Sequence, residues 1–288
     1  MSSGRGAHGW PLKPFDRQHP VRGSFGDPRI GPGGGKAFHF GVDVSALDGT
    51  AVFAVNPGRV SVDHQNITVV EVEGAREHSY WHVVPAVRNG ARVARGELLG
   101  RIAKGWGHVH FAERRGDAYW NPLRRGALTP YQDFGAPVVS RIVLSRNYQA
   151  LFGRVDAIAE TFDHPPLSAP QPAWHGMPVT PALVRWRLVR GGRAVVPWRV
   201  VFDFRKSFVP HVKGKPASDV NFKRVYAPGT RQNHPNAPGL FRVWLARGFD
   251  TRPFPDGNYR LDVEAADIRG NASRGHLVVT LVNEQREL

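Results

Sequence analysis

The sequence predicts an all-β protein, and three observations support this fold class. First, 32 Gly and 24 Pro are spread along the 288 residues, and they separate short Val-rich runs at the spacing expected of strands and turns. Second, no long helical pattern interrupts these runs. Third, "YRLDVEA" alternates apolar Tyr259, Leu261 and Val263 with charged residues, which is typical of a strand with one buried side.

Residues 1–136 predict the first of two domains, because short strand candidates follow one another with turn signals between nearly all of them. "DPRIGPGGGK", residues 27–36, is a flexible Gly-rich loop, and it lacks the residues of a phosphate-binding loop. The strand candidates are, in order, "HPVRGSFG", "FHFGVDV", "AVFAVNPGRVSVD", "ITVVEVEG", "HSYWHVV", "ARVARGELLGRIA" and "HVHFAERR".

Residues 137–288 predict a second domain, a β-sandwich. Six prolines between Pro165 and Pro181 predict a long surface loop at about 163–181, since proline cannot contribute to a central strand. The ending "DGNYRLDVEAADIRGNAS" resembles the closing hairpin of bacterial immunoglobulin-like domains. The other strand candidates are "VVSRIVL", "GRVDAIAETFD", "LVRWRLVR", "WRVVFDF" and "HLVVTLV".

Composition excludes several classes of function. The formal net charge of +15 favours an anionic partner, such as an anionic wall polymer, a membrane surface or nucleic acid. No zinc-finger, RNA-binding or homeodomain signature is present, so sequence-specific nucleic-acid binding is not expected. No apolar stretch reaches the roughly 18 residues of a membrane-spanning helix. The chain has no cysteine, so any metal must be held by His, Asp or Glu.

In the stretch "FHFGVDV", residues 38–44, apolar residues alternate with His39, Gly41 and Asp43, and this pattern indicates an ion-binding site. On a strand, His39, Gly41 and Asp43 lie on one face, and the apolar residues lie on the other. Gly41 between the two polar groups predicts space for an ion.

Two further stretches repeat this pattern. In "SYWHVV", Tyr80 and His82 share a predicted face, and in "GHVHFAE", His108 and His110 are parallel with apolar residues behind them. Four histidines and one aspartate exceed the three protein ligands of a catalytic zinc site, which leaves two histidines for proton transfer. Periodicity alone does not say which are which. The remaining histidines, among them His64, His78 and His234, have no paired spacing and are expected at the surface.

At this point the sequence resembles a family. Over residues 19–124, the blocks "HFGVD", "GTAVFAVNPGRV", "YWHV", "VRNGARVARGELLGRI", "HVHF" and "NPL" resemble the LytM and lysostaphin type of zinc endopeptidases, which cut peptide cross-links of bacterial peptidoglycan. The resemblance implies an antiparallel-sheet catalytic domain of the LytM type, the duplicated hybrid motif.

Carried over residue by residue, the resemblance implies one Zn²⁺ held by His39, Asp43 and His110. It also implies His82 and His108 as the catalytic pair that deprotonates water and stabilises the tetrahedral intermediate. Two residues outside this set are candidates for substrate binding: Tyr80, from the face it shares with His82, and Trp106, from its position in "KGWGHVHF". Specificity is expected from the loop 27–36, the segment around Asn66 and the Trp106 turn.

The expected function is hydrolysis of peptide cross-links or stem peptides of peptidoglycan by a secreted, periplasmic or wall-associated enzyme, with anionic wall polymers as further partners. The amino terminus lacks the apolar core of a secretory signal, so either the protein stays inside the cell or the sequence begins after the signal. Two alternatives remain. One is a catalytically silent module of the same fold that binds peptidoglycan or regulates an enzyme, and the other is an intracellular basic protein with a stray metal site.

Overall fold

The computed structural model describes residues 8–71, 76–145, 150–210 and 221–283. Their regular structure is almost entirely β, which confirms the predicted fold class. It includes one short helix, α1 (Phe222–Val225), and one 3₁₀ turn (Pro172–Trp174). No helix among the described residues is long and apolar enough to cross a membrane.

The first part of the chain contains thirteen described strands. They are β1 (Val21–Gly23), β2 (Pro28–Ile30), β3 (Lys36–Phe38), β4 (Val42–Ser45), β5 (Ala51–Phe53), β6 (Gly58–Asp63), β7 (Asn66–Val70), β8 (Arg76–Trp81), β9 (Val83–Pro85), β10 (Arg92–Val93), β11 (Leu98–Ile102), β12 (His108–Arg115) and β13 (Ala118–Trp120). The last residues of the predicted strand "ITVVEVEG", 72–74, lie outside the described residues.

The main sheet has the order β1-β4-β12-β8-β7-β6-β10, so β12 lies between β4 and β8 and is antiparallel to both. Two smaller sheets, β5-β11-β9 and β2-β3, accompany it. One face of the central strands is apolar: Val44, Tyr80, Val109 and Phe111 are at most 1% exposed. Because side chains alternate along a strand, the polar residues between them lie on the opposite face.

The stretch 38–44 is not the single strand that its alternation predicts. β3 ends at Phe38, β4 begins at Val42, and residues 39–41 form a break between them. The break brings the chain close to β12, since a Cβ on Gly41 would lie 2.4 Å from the Phe111 carbonyl oxygen and 2.8 Å from His110 Cε1. Gly41 therefore makes room for the His110 ring and the β12 backbone, whereas the sequence predicted room for an ion.

The second part contains nine described strands in two principal sheets. They are β14 (Val138–Leu144), β15 (Ala150–Leu151), β16 (Arg154–Phe162), β17 (Leu183–Arg190), β18 (Arg193–Asp203), β19 (Ser207–Phe208), β20 (Arg242–Asp250), β21 (Gly257–Ala266) and β22 (Ala272–Leu281). One sheet has the order β14-β16-β20, and the other has the order β15-β22-β21-β17-β18. β20 was not among the predicted strands.

The two sheets pack face to face as a sandwich. Trp186 of β17 lies against Phe249 of β20, with ring centroids 5.6 Å apart. On β21 the acidic residues are buried as well as the apolar ones, and they are paired with arginines: Glu264 lies 2.6 Å from Arg185 and 2.7 Å from Arg274. The immunoglobulin-like topology itself stays a prediction.

The two parts of the chain share an apolar interface. β19 pairs with β13 of the main sheet, and Phe204 and Phe208 pack against Phe25 and Phe38 at centroid distances of 4.7–6.4 Å. The domain boundary near residue 136 remains a prediction, and the structure adds that segments beyond it complete the core of the first part.

The Pro-rich segment 163–181 is a loop, but it is not simply a surface loop. The side-chain amide of Gln171 donates to the carbonyl oxygens of Ala46 at 2.7 Å and Gly107 at 2.8 Å, and Val179 and Thr180 are only 3% exposed. The proline run therefore attaches the second part of the chain to the polar face of the first.

Candidate active site

Strand register brings the polar side chains together. His110 on β12 pairs directly with Asp43 on β4, and directly opposed residues of an antiparallel pair have Cβ atoms about 5 Å apart on the same face. His39 arrives from the break before β4, where its backbone is fixed by hydrogen bonds to Gly26 and Asp27.

His39, Asp43 and His110 point three potential ligand atoms at one position. His39 Nε2 lies 2.8 Å from His110 Nδ1 and 3.0 Å from Asp43 Oδ1, and His110 Nδ1 lies 3.2 Å from the same oxygen. Ligand atoms of a tetrahedral zinc ion, bound at about 2.0–2.2 Å, lie about 3.4 Å apart. The observed spacing is close to that of a ligand set.

The protonation of His39 tests whether this group fits a metal ion. His39 Nδ1 lies 2.8 Å from the Ser24 carbonyl oxygen, which can only accept, so Nδ1 carries the proton. Burial lowers the pKa of His39 to about 3, so the ring is neutral and Nε2 presents its lone pair towards Asp43 Oδ1 and His110 Nδ1. A neutral imidazole nitrogen and a carboxylate oxygen converge at 3.0 Å with a second imidazole nitrogen beside them, and this donor set fits a metal ion.

A second ring of contacts orients these groups. Arg29 donates to Asp43 Oδ2 at 2.7 Å, which leaves Oδ1 facing the histidines. Burial opposes ionisation of Asp43, but His39, His108 and Arg29 together hold its pKa well below the usual value. Such outer contacts fix the orientation and the charge state of metal ligands.

His82 lies beside this group in an unusual backbone conformation. It follows the end of β8, and its φ of 67° is in the left-handed region, which is uncommon for a residue other than glycine and is found at functional sites. The ring stacks on Trp106, with centroids 3.5 Å apart and planes 10° from parallel. Burial lowers the pKa of His82 to about 3, so the neutral imidazole has a free lone pair.

His108 is the second histidine beside the group. Its Nε2 is 3.4 Å from Asp43 Oδ1, and its Nδ1 is 2.6 Å from Arg22 Nη2 and 2.7 Å from the Trp106 carbonyl oxygen. The Arg22 guanidinium also lies 4.1 Å from the centroid of the Trp174 ring. Arg22 therefore connects β1, the Trp106 turn and the Pro-rich loop around His108.

All five residues line one open groove of about 520 Å³. Its walls include the predicted Trp106 turn, but they also include residues from the second part of the chain, namely Trp174 and the segment 232–235. Sequence reasoning missed these residues together with Arg22, because their positions depend on contacts across long stretches of chain. Of the predicted specificity segments, the loop 27–36 contributes Arg29 to the groove, whereas its glycines and Asn66 do not line it.

The structure contradicts the expectation that Tyr80 binds substrate. Tyr80 is fully buried on the core face of β8, where its hydroxyl accepts from the Val55 backbone N–H at 2.9 Å. The left-handed backbone at His82 interrupts the strand alternation on which the expectation rested. Trp81 lines the groove in its place, 5.0 Å from His110 between ring centroids.

The expectation that the remaining histidines are at the surface is correct for His64, but wrong for His78. The His64 side chain is 92% exposed, whereas His78 is fully buried. No sequence signal distinguished the two. His78 is buried because it alternates with Tyr80 on the core face of β8.

Residues 37–122, which include the five polar residues of the groove, are similar to a known protein family. A model of peptidase family M23 matches residues 37–122, which confirms the predicted family resemblance within the span expected from the motifs. None of the curated proteins compared with the chain matches it.

Several solved structures are similar to the chain. LytU shares 24% identity over 36% of this chain and 79% of its own, with a TM-score of 0.29. Csd3 from Helicobacter pylori shares 20% identity over 45% of this chain and 37% of its own, with a TM-score of 0.34. Lysostaphin in solution shares 15% identity over 94% of this chain and all of its own, with a TM-score of 0.35. These TM-scores are low, and the family match alone carries the assignment. The chain contains a domain of peptidase family M23 at residues 37–122.

Proposed function

We propose that the protein is a zinc-dependent endopeptidase that hydrolyses peptide cross-links or stem peptides of bacterial peptidoglycan. The observation that carries this proposal is the convergence of His39 Nε2, Asp43 Oδ1 and His110 Nδ1, which lie 2.8–3.2 Å from one another in an open groove with His82 and His108 beside them. Family M23 membership supports the reaction class. The formal charge of +15 favours action at an anionic wall, and hence a secreted or wall-associated protein.

His39, Asp43 and His110 would hold the zinc ion. Once bound there, zinc would polarise the scissile carbonyl and lower the pKa of a coordinated water towards about 7. Side chains of the protein would transfer the proton and stabilise the oxyanion. Neutral His82 accepts a proton at its free nitrogen, while His108, fixed by Arg22, donates a hydrogen bond to the developing oxyanion.

Trp106 positions His82 by stacking on it. Phe40 and Trp81 line the groove next to His110 and offer an apolar surface for the substrate backbone. Trp106 is 42% exposed, so it can also contact substrate.

The first experiment is mass spectrometry of fragments released from purified peptidoglycans of different cross-link chemistry, with and without a zinc chelator. Peptide fragments that disappear with the chelator support the proposal and identify the bond. Intact cross-links in every wall tested, from protein whose zinc content is verified, would instead support a silent binding or regulatory module.

Two variants then separate metal binding from proton transfer. We expect His110→Ala to lose one equivalent of zinc and all hydrolysis. We expect His82→Asn to keep its zinc but lose hydrolysis by roughly 10²- to 10⁴-fold, the usual contribution of an acid–base group. Asparagine suits this position because it tolerates the left-handed backbone.

Exposed His64 is the matched control, since His64→Ala removes an imidazole outside the groove and keeps both properties. An unchanged zinc content in His110→Ala, measured beside wild type by elemental mass spectrometry, contradicts the ligand assignment.

A further inference from the structure

A second group of ligand-type side chains lies on the core face of the main sheet. Glu113 on β12 pairs directly with His78 on β8, and alternation along β12 puts Glu113 on the face opposite His108 and His110. His8 joins them from the amino-terminal segment, which is held by backbone hydrogen bonds between His8 and both Ala127 and Thr129. All three residues are at most 4% exposed.

The imidazoles of this group are unsatisfied. Among the described residues, no nitrogen of the His8 and His78 rings makes a hydrogen bond of ordinary geometry, although all four nitrogens are buried and the Asn56 side chain lies near His8. Each buried polar group left in this state costs about 1–3 kcal/mol, and native proteins contain few of them. Burial lowers the pKa of both rings, so they are neutral and each offers a lone pair.

Charged side chains contact or lie near members of this group. Arg124 lies 2.7 Å from Glu113 Oε2, and Oε1 accepts from both Arg115 and Arg124, so the carboxylate is oriented and ionised, and Oε2 retains an acceptor position. Glu71 Oε1 is 4.0 Å from His78 Nδ1, so a second carboxylate lies near this imidazole.

We propose that His8, His78 and Glu113 bind a second divalent metal ion of the zinc class, which serves a structural role. Their ligand atoms all lie within 4.8 Å of one another, and two imidazoles with one carboxylate form a set that zinc accepts. Calcium and magnesium prefer oxygen ligands, whereas two of the three ligands here are imidazole nitrogens. The ion would tie the amino-terminal segment to β8 and β12, so that β12 carries ligands of two ions on opposite faces. This site is independent of the proposed peptidase activity.

The test is the zinc stoichiometry of the full chain without an affinity tag, loaded with zinc chloride, desalted and measured by elemental mass spectrometry. We expect two equivalents in wild type and in the control His64→Gln, and one in His78→Gln with hydrolysis retained. We expect one equivalent in His110→Ala, and none in the double variant.

The His110→Ala arm decides the question even where His78→Gln fails to fold. One equivalent retained there, with a chelator-induced drop in melting temperature, supports the second site. One equivalent in wild type and none in His110→Ala overturns it. Two equivalents of zinc in a protein that releases no peptides would reject the proposed function and leave this inference standing.

Discussion

At the scale of single residues, the candidate site depends on side chains whose partners are far away in sequence. His108 and His110 are recognisable because they are two positions apart on one strand. Arg22 and Arg29 have no such signature: Arg22 becomes informative only when the fold brings it to His108, 86 residues away. A pattern in sequence therefore reveals the groups that repeat with the strand period and misses the groups that orient them.

Buried carboxyls outside the site illustrate how charge depends on surroundings. Asp133, Asp163 and Asp267 are all buried, with oxygens within 4.8 Å of one another. Burial, together with the charge of Asp133, raises the pKa of Asp163 to about 8, above the value of about 3.9 expected in the unfolded chain.

This shift predicts a pH-dependent contribution to stability. Between about pH 4 and pH 8 the folded protein binds the Asp163 proton more tightly than the unfolded chain does. The contribution of this proton to the free energy of unfolding is therefore complete below about pH 4 and is lost as the pH rises through about 8. We expect Asp163→Asn, which keeps the acceptor for the His164 backbone N–H, to gain stability relative to wild type as the pH rises. Urea unfolding at pH 5 and pH 8 measures this, with exposed Asp63→Asn as the control. A difference from wild type that does not change with pH would contradict the assignment.

At the scale of elements, β12 organises the domain. Its position between β4 and β8 brings Asp43 opposite His110, while its odd-numbered residues Val109 and Phe111 build the core. The break at residues 39–41 supplies what a regular strand could not, since it turns the His39 ring towards His110 and admits the β12 backbone at Gly41.

Gly41 gives a prediction at this scale. A methyl group there would meet the Phe111 carbonyl and the His110 ring at less than 3.0 Å, so Gly41→Ala is expected to cost about 1–3 kcal/mol of unfolding free energy and to weaken metal binding by displacing His110. Gly33→Ala is the control, because no heavy atom lies within 4 Å of the added carbon. Chemical unfolding and a zinc titration measure both effects. Equal behaviour of the two variants would show that β12 does not approach Gly41 this closely.

At the scale of the whole molecule, the second part of the chain completes the first. Trp174 and the segment 232–235 form one wall of the groove, and an aromatic cluster around Phe38 joins the two parts beneath it. The groove is therefore built from both parts of the chain.

Phe204 tests this connection. It is fully buried and packs against Phe25, Phe38 and Phe208, so Phe204→Ala is expected to cost about 3–5 kcal/mol of stability. Phe134→Ala, at a site that is 85% exposed, is expected to change stability by less than about 0.5 kcal/mol. Calorimetry of both variants measures the difference. Wild-type stability of Phe204→Ala would contradict the shared core.

The sequence by itself determined the all-β class, the M23 family resemblance and the five polar groups of the groove, because strand alternation and local motifs are properties of neighbouring residues. Only the tertiary structure decided that Tyr80 is buried and Trp81 is not, that His78 lies in the core beside His8 and Glu113, and that the groove has a wall from the second part. These features follow from one left-handed residue, from strand order and from packing between distant segments. Such contacts are set by the folded geometry and leave no periodic trace in the sequence.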